Sequence, residues 1–465
     1  MKSGAMLIRR ACFVLIMIGL MGLTTVPLAA QAQPFDLTAA LAQAAPGATI
    51  VVPAGVYPGP LTIDKPVTLA GRDWPVIQGT LHGDVITVNA PDVTLRGLVI
   101  RGSGDSLDRE NAGVTGLAPR LTVEQNRLED VLFGIYLREA PDSIIRNNVV
   151  AAKPFDLARR GDGIRVWYSA GTLVEGNQIR NGRDLIMWFS PDGIVRNNLV
   201  EGGRYGLHFM FSDHQLVEGN TVHHNSVGAF LMYGRSLTLR NNLFYENHGP
   251  SGYGIGLKEV NDLVAEGNRF VANRIGVYVD NSPYEPGAMV HFAYNLFAYN
   301  EVGLELLPLV KHNTYTANLF LENGEQMAIV GGGELKENAW SAAGMGNYWS
   351  DYVGFDANRD GIGDLPYHSQ SLYEDLMESH PALRLFQLSP AADALDFAAA
   401  AFPIFQPRPK LTDDHPLTLP PTLPASNNLP TPPVTNNVIA AAALLLLALF
   451  VLATALPQRA AIERS

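Results

Sequence analysis

The stretch NLVEGGRYGLHFMFSDHQLVEGNTVHHNSVGAFLM, residues 198–232, repeats one short pattern. Asn198 and Asn220 are each followed two residues later by valine, Val200 and Val222, and eight residues later by glycine, Gly206 and Gly228. Each glycine opens an alternating run, Gly206-Leu207-His208-Phe209 and Gly228-Ala229-Phe230-Leu231. The same Asn-x-apolar pattern recurs outward in both directions, at Asn126, Asn148, Asn177, Asn198, Asn220, Asn242, Asn268, Asn295 and Asn318, with spacings of 21 to 29 residues. Period-two alternation inside a repeat near 22 residues describes a coil of short strands. Helical repeats would need a 3.6-residue stripe in each unit, and a leucine-rich repeat its leucine ladder; neither is present. The expected fold is therefore all-β, a right-handed parallel β-helix with coils about 4.8 Å apart. The recurring asparagines suit the left-handed bend between strands and a side-chain ladder along the stack, so they are read as structural. Lys153 to Arg160, His248 to Gly252 and Asn281 to Gly287 lengthen single repeats and are expected to be loops pushed out from the coils.

The alternation also predicts which side chains face outward. With the residue after each glycine inward, the second and fourth after it point out. Three neighbouring coils then expose Met187 with Phe189, His208 with Met210, and Phe230 with Met232; Trp167 lies on the coil before. The coil holding Met187 lacks its glycine, which leaves its register least fixed. An apolar, sulfur-bearing stripe suits a protein partner, because methionine and aromatic side chains make adaptable contact area. Thioether and imidazole groups also select soft metals, copper(I) foremost, and the ligand candidates are Met187, His208, Met210, Met232 and His214, with His223 and His224 in the next loops. Both readings stay open on the residues alone.

Composition narrows the chemistry. The formal charge of −12 comes without a basic cluster beyond the first ten residues, which argues against nucleic acid as a partner. The one cysteine, Cys12, lies in a segment that reads as removable, so the mature chain would hold no thiol for disulfides, zinc–thiolate sites or catalysis. Lys2, Arg9 and Arg10, an apolar run from Ala11 to Leu23, and Ala30-Gln31-Ala32 form the three parts of a signal peptide over residues 1–32. Its removal takes three positive charges and no negative ones, moving the charge to −15. Residues 438–457 carry no charge and are long enough to span a bilayer as a helix, with a cytoplasmic tail at 458–465. Between them the expected order is the β-helix over 33–380, a short helical cap over 381–401, and a spacer over 402–437 that carries ten prolines.

Two further constellations carry possible chemistry. Asp356-Ala357-Asn358-Arg359-Asp360-Gly361 with Asp364 opens like a calcium loop, with oxygen ligands at positions 1, 3, 5 and 9 and glycine at 6. Tyr367 stands where an EF-hand needs glutamate, so the alternatives are a calcium-bound cap held by Asp356, Asn358, Asp360 and Asp364, or an Asx-turn loop without metal. Asp162, Arg165 and Asp184 could be gathered into a polysaccharide lyase or hydrolase site. The exposed stripe, however, carries aromatic and thioether groups where a sugar cleft wants several carboxylates.

The segment GNYWSDYVGFDANRDGIGDLPY, residues 346–367, resembles the signature of the NosD family of exported maturation proteins for nitrous oxide reductase. RDLIMWFS (183–190), RYGLHFMFS (204–212), VGAFLMYGRS (227–236) and SGYGIGLKE (251–259) are similar to that family too, as is the stretch from His380 through Phe402-Pro403. The resemblance implies a pectin-lyase-like solenoid without catalysis. It would work with an ABC transporter whose permease and ATPase are separate chains, while a copper chaperone delivers metal for the copper–sulfide cluster of apo nitrous oxide reductase. The stripe would then dock the chaperone or the apo-reductase. The resemblance brings no fixed copper ligands, and the C-terminal membrane helix departs from the family pattern. The alternative from another class is a carbohydrate-binding or polysaccharide-processing surface protein.

Overall fold

The computed structural model describes residues 35–369, 373, 376–377, 380–386, 389–401 and 409–424. The signal peptide at 1–32, the membrane span at 438–457 and the tail at 458–465 lie outside the described residues. The chain divides into two units, Met1–Asp36 and Leu37–Ser465, and every strand belongs to the second.

Short β-branched and aliphatic runs, many of them ended by a residue with positive φ, build three parallel sheets. The first holds 12 strands from Ala48–Val52 to Asn313–Thr316, the second 13 from Val56–Pro58 to Tyr348–Trp349, and the third 12 from Leu61–Ile63 to Glu325–Ile329. Each coil contributes one strand to each sheet, as in Leu199–Glu201, Tyr205–Met210 and Leu216–Glu218. The fold is the expected parallel β-helix, with about 12 coils. The three lengthened repeats do leave the strands between Ala152 and Ile164, Tyr245 and Tyr253, and Asp280 and Val290. Among the described residues no helix is long and apolar enough to cross a membrane.

Register places like residues above one another. In the second sheet Val200 pairs with Val222, Val222 with Phe244, and Phe244 with Phe270. The inward column then continues as rings, Phe270 tilted on Phe297, then Phe297, Phe320 and Trp349 stacked, with the Tyr367 ring centroid 4.4 Å from that of Trp349. The core therefore changes from aliphatic to aromatic toward its C-terminal end. Gly228 keeps the third sheet close-packed: a Cβ there would strike the Gly254 carbonyl oxygen.

The asparagine ladder is present but sits one residue from the expected bend. The positive φ belongs to the preceding residue, Asn197 at 55° and Gly219 at 63°, while Asn198 and Asn220 point inward. The Asn198 backbone N–H donates to Asn220 Oδ1 at 3.0 Å, and its Nδ2 donates to that oxygen and to the Val174 carbonyl. A buried amide is thereby satisfied on every side. A second ladder runs through Asn225, Asn247, Asn273, Asn300 and Asn323.

The expected helical cap appears as a 3-10 helix, Pro381–Phe386, and an α-helix, Pro390–Ala401. The expected extended spacer does not hold for residues 409–424. Leu411–Asp413 pairs antiparallel with Tyr367–Ser369, and Lys410, Leu411, Asp413 and Leu417 are buried. Proline is tolerated there because an edge segment need not donate every backbone N–H.

Candidate functional site

The outer face of the third sheet carries the candidate site, and its columns follow from strand pairing. One outward column runs Tyr136, Arg165, Ile186, His208, Phe230, and the next runs Arg138, Trp167, Trp188, Met210, Met232. His208, Met210, Phe230, Met232 and Trp167 thus occupy the outward positions expected of them. Met187 does not. It pairs with Val166 and Phe209, both core residues, and is 0% exposed, so it can be neither a docking residue nor a ligand beside Met210. Ile186 and Trp188 take the outward places. The frame is hidden in the sequence because Asp184 stands where the neighbouring coils have Gly163 and Gly206; counted from Asp184, the second and fourth residues are Ile186 and Trp188.

Phe189 lies one position further, on the turn that ends the strand. There Tyr168, Phe189, Phe211 and Tyr233 follow one another on successive coils, all at positive φ. Their rings stack with centroids 4.9, 5.0 and 4.8 Å apart and planes within 15° of parallel. Tyr168 is 50% and Phe211 42% exposed, so this ladder faces solvent. Trp167 meets Tyr168 edge-on and Trp188 stacks on Phe189, while Met210 and Met232, half-buried neighbours, continue the surface. Tyr168, Phe211 and Tyr233 are not among the residues expected from sequence. Their signal was the recurrence of an aromatic residue every 21 or 22 positions just past the fourth outward place.

Beside this surface the fold gathers a buried charge cluster. The Asp184 carboxylate, 2% exposed, accepts from the Arg204 guanidinium and the Tyr205 N–H, and lies 3.1 Å from His208 Nδ1. Burial opposes its ionisation, but the bonds from His208 and Arg204 outweigh burial and hold its pKa below the usual carboxylate value. Asp162 is buried without such donors; burial, and then the Asp184 charge, push its pKa up to about 7. Arg165 binds Glu110 at 2.8 Å and approaches Asp162 at 3.8 Å. Asp162, Arg165 and Asp184 therefore do come together, but in ion pairs beneath the surface. An acid and a base for sugar chemistry must reach substrate, and these carboxylates face their own arginines. His208 is nearly enclosed at 6% exposure, and its Nε2 has no hydrogen-bond partner.

His214 belongs to a different turn, where its Nδ1 sits 3.3 Å from Asp192. In the acidic loop Asp356 accepts from the Asp360 and Gly361 N–H groups, Asn358 from Asp360, Asp360 from Ile362, and Asp364 from Ala357. These are the bonds of an Asx-turn loop.

The coils and this face define a class of protein: a parallel β-helix scaffold that carries an aromatic and thioether surface on the outer face of one sheet. Within that class, the chain belongs to the NosD family. Residues 150–354 match the family described as periplasmic copper-binding protein (NosD). A probable ABC transporter binding protein NosD from Stutzerimonas stutzeri is 30% identical over 85% of this chain and 92% of its own length. Its namesake from Pseudomonas aeruginosa is 30% identical over 78% of this chain and 86% of its own. Among solved structures, an alginate lyase in complex with a trisaccharide aligns at 16% identity and a TM-score of 0.47, over 65% of this chain and 84% of that one. A mannuronan C-5 epimerase A-module from Azotobacter vinelandii aligns at 12% identity and 0.44, over 63% and 91%. No chemistry transfers at those values.

The ligand set expected for copper does not fit. Met187 is in the core, His214 is paired on another turn, and His208 has one ring nitrogen committed to Asp184. Among the described residues no group of three or more His, Cys, Asp or Glu side chains is placed to hold a metal ion.

Proposed function

We propose that the chain is an exported, non-catalytic accessory protein that works with an ABC transporter permease and ATPase in the maturation of nitrous oxide reductase. The residues 438–457 would tether it to the cytoplasmic membrane, and the third-sheet face would dock the copper chaperone or the apo-reductase. The observation that carries this reading is the solvent-facing ladder Tyr168, Phe189, Phe211 and Tyr233 with Trp167, Trp188, Met210 and Met232 beside it. A contiguous apolar surface of this kind is costly to leave in water and marks a contact site. The same geometry disfavours a sugar ligand. Phe189 and Phe211 are stacked on both faces, so they offer only ring edges, whereas a pyranose packs on a ring face. Ring edges and thioethers suit the aliphatic and aromatic side chains of a protein.

The double variant Met210→Lys and Met232→Lys places two cations in this surface without touching the core. In cells that depend on this chain, it should abolish formation of active reductase while the purified protein keeps its unfolding midpoint. Normal reductase activity in that variant would sink the docking reading. Co-purification with chaperone or apo-reductase, lost in the variant for one of them, identifies the partner.

A further inference from the structure

A second constellation lies on another sheet, on the strand Thr221–His223 and the turn after it. His223 Nδ1 and His224 Nδ1 face each other at 2.6 Å, with the rings nearly perpendicular. The far nitrogen of each ring meets a carboxylate: His224 Nε2 is 3.0 Å from Glu246 Oε2, and His223 Nε2 is 3.6 Å from Glu201 Oε2. Tyr245 stacks on the His223 ring at 4.6 Å and fixes its plane. A carboxylate beside Nε2 stabilises the tautomer with hydrogen on that nitrogen, which leaves the lone pair on Nδ1. At 2.6 Å the two nitrogens are within hydrogen-bond distance and share one proton, whose place a single monovalent cation can take. The carboxylate–imidazole–metal arrangement is the usual support of a histidine ligand. Here Glu246 supplies it for His224 at 3.0 Å, and Glu201, which also binds Arg180, approaches His223 at 3.6 Å.

We propose that His223 and His224 form a two-coordinate copper(I) site, with Glu201 and Glu246 orienting the rings. Monovalent copper accepts two imidazole nitrogens, whereas zinc needs about four ligands, and no third His, Cys, Asp or Glu completes the set among the described residues. Metal–imidazole bonds are about 2 Å long, so the nitrogens must part by roughly 1 Å or a little more. The His224 side chain is 60% exposed and has room to turn. It also lines a cavity of about 380 Å³ together with Arg160, Ser226, Glu246 and His248. An ion held by two ligands in such an opening has free coordination positions, through which an incoming ligand can bind before either imidazole leaves. The site would therefore pass copper on rather than store it. Binding rests on the geometry alone; the transfer role rests on the function proposed above.

The test is anaerobic titration of the purified full chain with copper(I) against a chromophoric chelator, with X-ray absorption at the copper edge. The expected result is one copper per chain with nitrogen-only ligation. His223→Ala and His224→Ala should each weaken it by about 100-fold or more with unchanged unfolding curves, and His214→Ala should not. The Met210→Lys and Met232→Lys variant should bind copper normally, which separates this site from the docking face. Unchanged affinity in the His223→Ala, His224→Ala double variant, or sulfur ligation, overturns the proposal. Loss of copper in that double variant with normal reductase maturation would keep the site and remove its proposed role.

Discussion

Asp184 is the residue on which the local structure of the candidate face turns. It takes the place of a glycine of the repeat, so the second and fourth residues after it, Ile186 and Trp188, face outward and Met187 faces inward. A carboxylate so deeply buried is kept charged only by donors, and Arg204 and His208 supply them. Its neighbour Asp162 has no comparable support, and burial together with the Asp184 charge raises its pKa to about 7. In the unfolded chain Asp162 loses its proton near pH 4, while in the folded protein it keeps it to about pH 7. This group therefore favours folding at low pH, and its contribution is lost as pH rises from about 4 through 7. Asp184 acts in the opposite sense, since its lowered pKa adds stability above the ordinary carboxylate value that disappears as pH falls. Asp162→Asn mimics the neutral form at every pH. It should match the parent near pH 4.5 and exceed it at pH 8 by on the order of 2–4 kcal/mol in urea unfolding. A variant less stable than the parent at pH 8 would show that Asp162 works as an anion.

At the scale of the repeat element, the asparagine ladder does what apolar packing alone cannot: it fixes the turn of one coil over the next. Asn220 Oδ1 receives both the N–H and the Nδ2 of Asn198, and Asn220 Nδ2 serves the Val195 carbonyl and Asn242 Oδ1. Asn220→Ala removes four buried hydrogen bonds at once and leaves the Asn198 N–H without its acceptor. The expected cost is about 3 kcal/mol, with exchange protection lost first at the Asn198 amide; protection unchanged there would refute the ladder's role. Asn197→Gly, at the left-handed position itself, should be tolerated. This element was legible because its period is set by stacking: identical offsets on successive coils print the same residue every 22 or so positions. The second ladder was equally printed, since Asn225, Asn247, Asn273, Asn300 and Asn323 each lie five residues after a member of the first. Asn225, Asn273 and Asn300 also open Asn-x-apolar triplets, with Val227, Ile275 and Val302. The left-handed residue was missed because Asn147, Gly176, Asn197, Gly219, Gln125 and Tyr294 all take that position, and the residue types vary where only φ is constrained. At the candidate face, His208, Met210, Phe230 and Met232 could be placed because their coils keep the glycine frame. Met187 and Phe189 could not, because Asp184 takes the glycine's place and removes the mark from which the alternation is counted.

For the stack of coils as a whole, the decisive physical problem is its C-terminal end. A parallel β-helix that simply stopped would expose three open sheet edges, an aromatic disc and the last unpaired N–H of the ladder. Tyr367 covers the disc at Trp349, and the segment 409–424 returns to cover the ladder. Asp413 takes the place of the next asparagine: its Oδ2 accepts from the Asn347 N–H at 2.8 Å and from Trp349 Nε1 at 3.0 Å, and its Oδ1 accepts the His415 N–H. The Leu417 N–H then donates to the Asn347 carbonyl, and the Gly346 N–H to that of His415. Composition concealed this role, because a strap needs only a few anchors, here Leu411, Asp413 and Leu417, and its prolines read as a linker. If the strap is part of the solenoid, Asp413→Ala should lower the unfolding midpoint and release the amides of residues 318–349 to hydrogen exchange, while the coils around Asn126 and Asn148 stay protected, since each coil touches only its neighbours. Asp413→Asn should retain most of the protection, because its side-chain oxygen can still accept from Asn347 and Trp349. Burial already pushes the Asp413 carboxyl up, so a neutral amide gives up little there. An independent spacer would make both substitutions silent, and equal exchange in all three proteins would return 409–424 to that role.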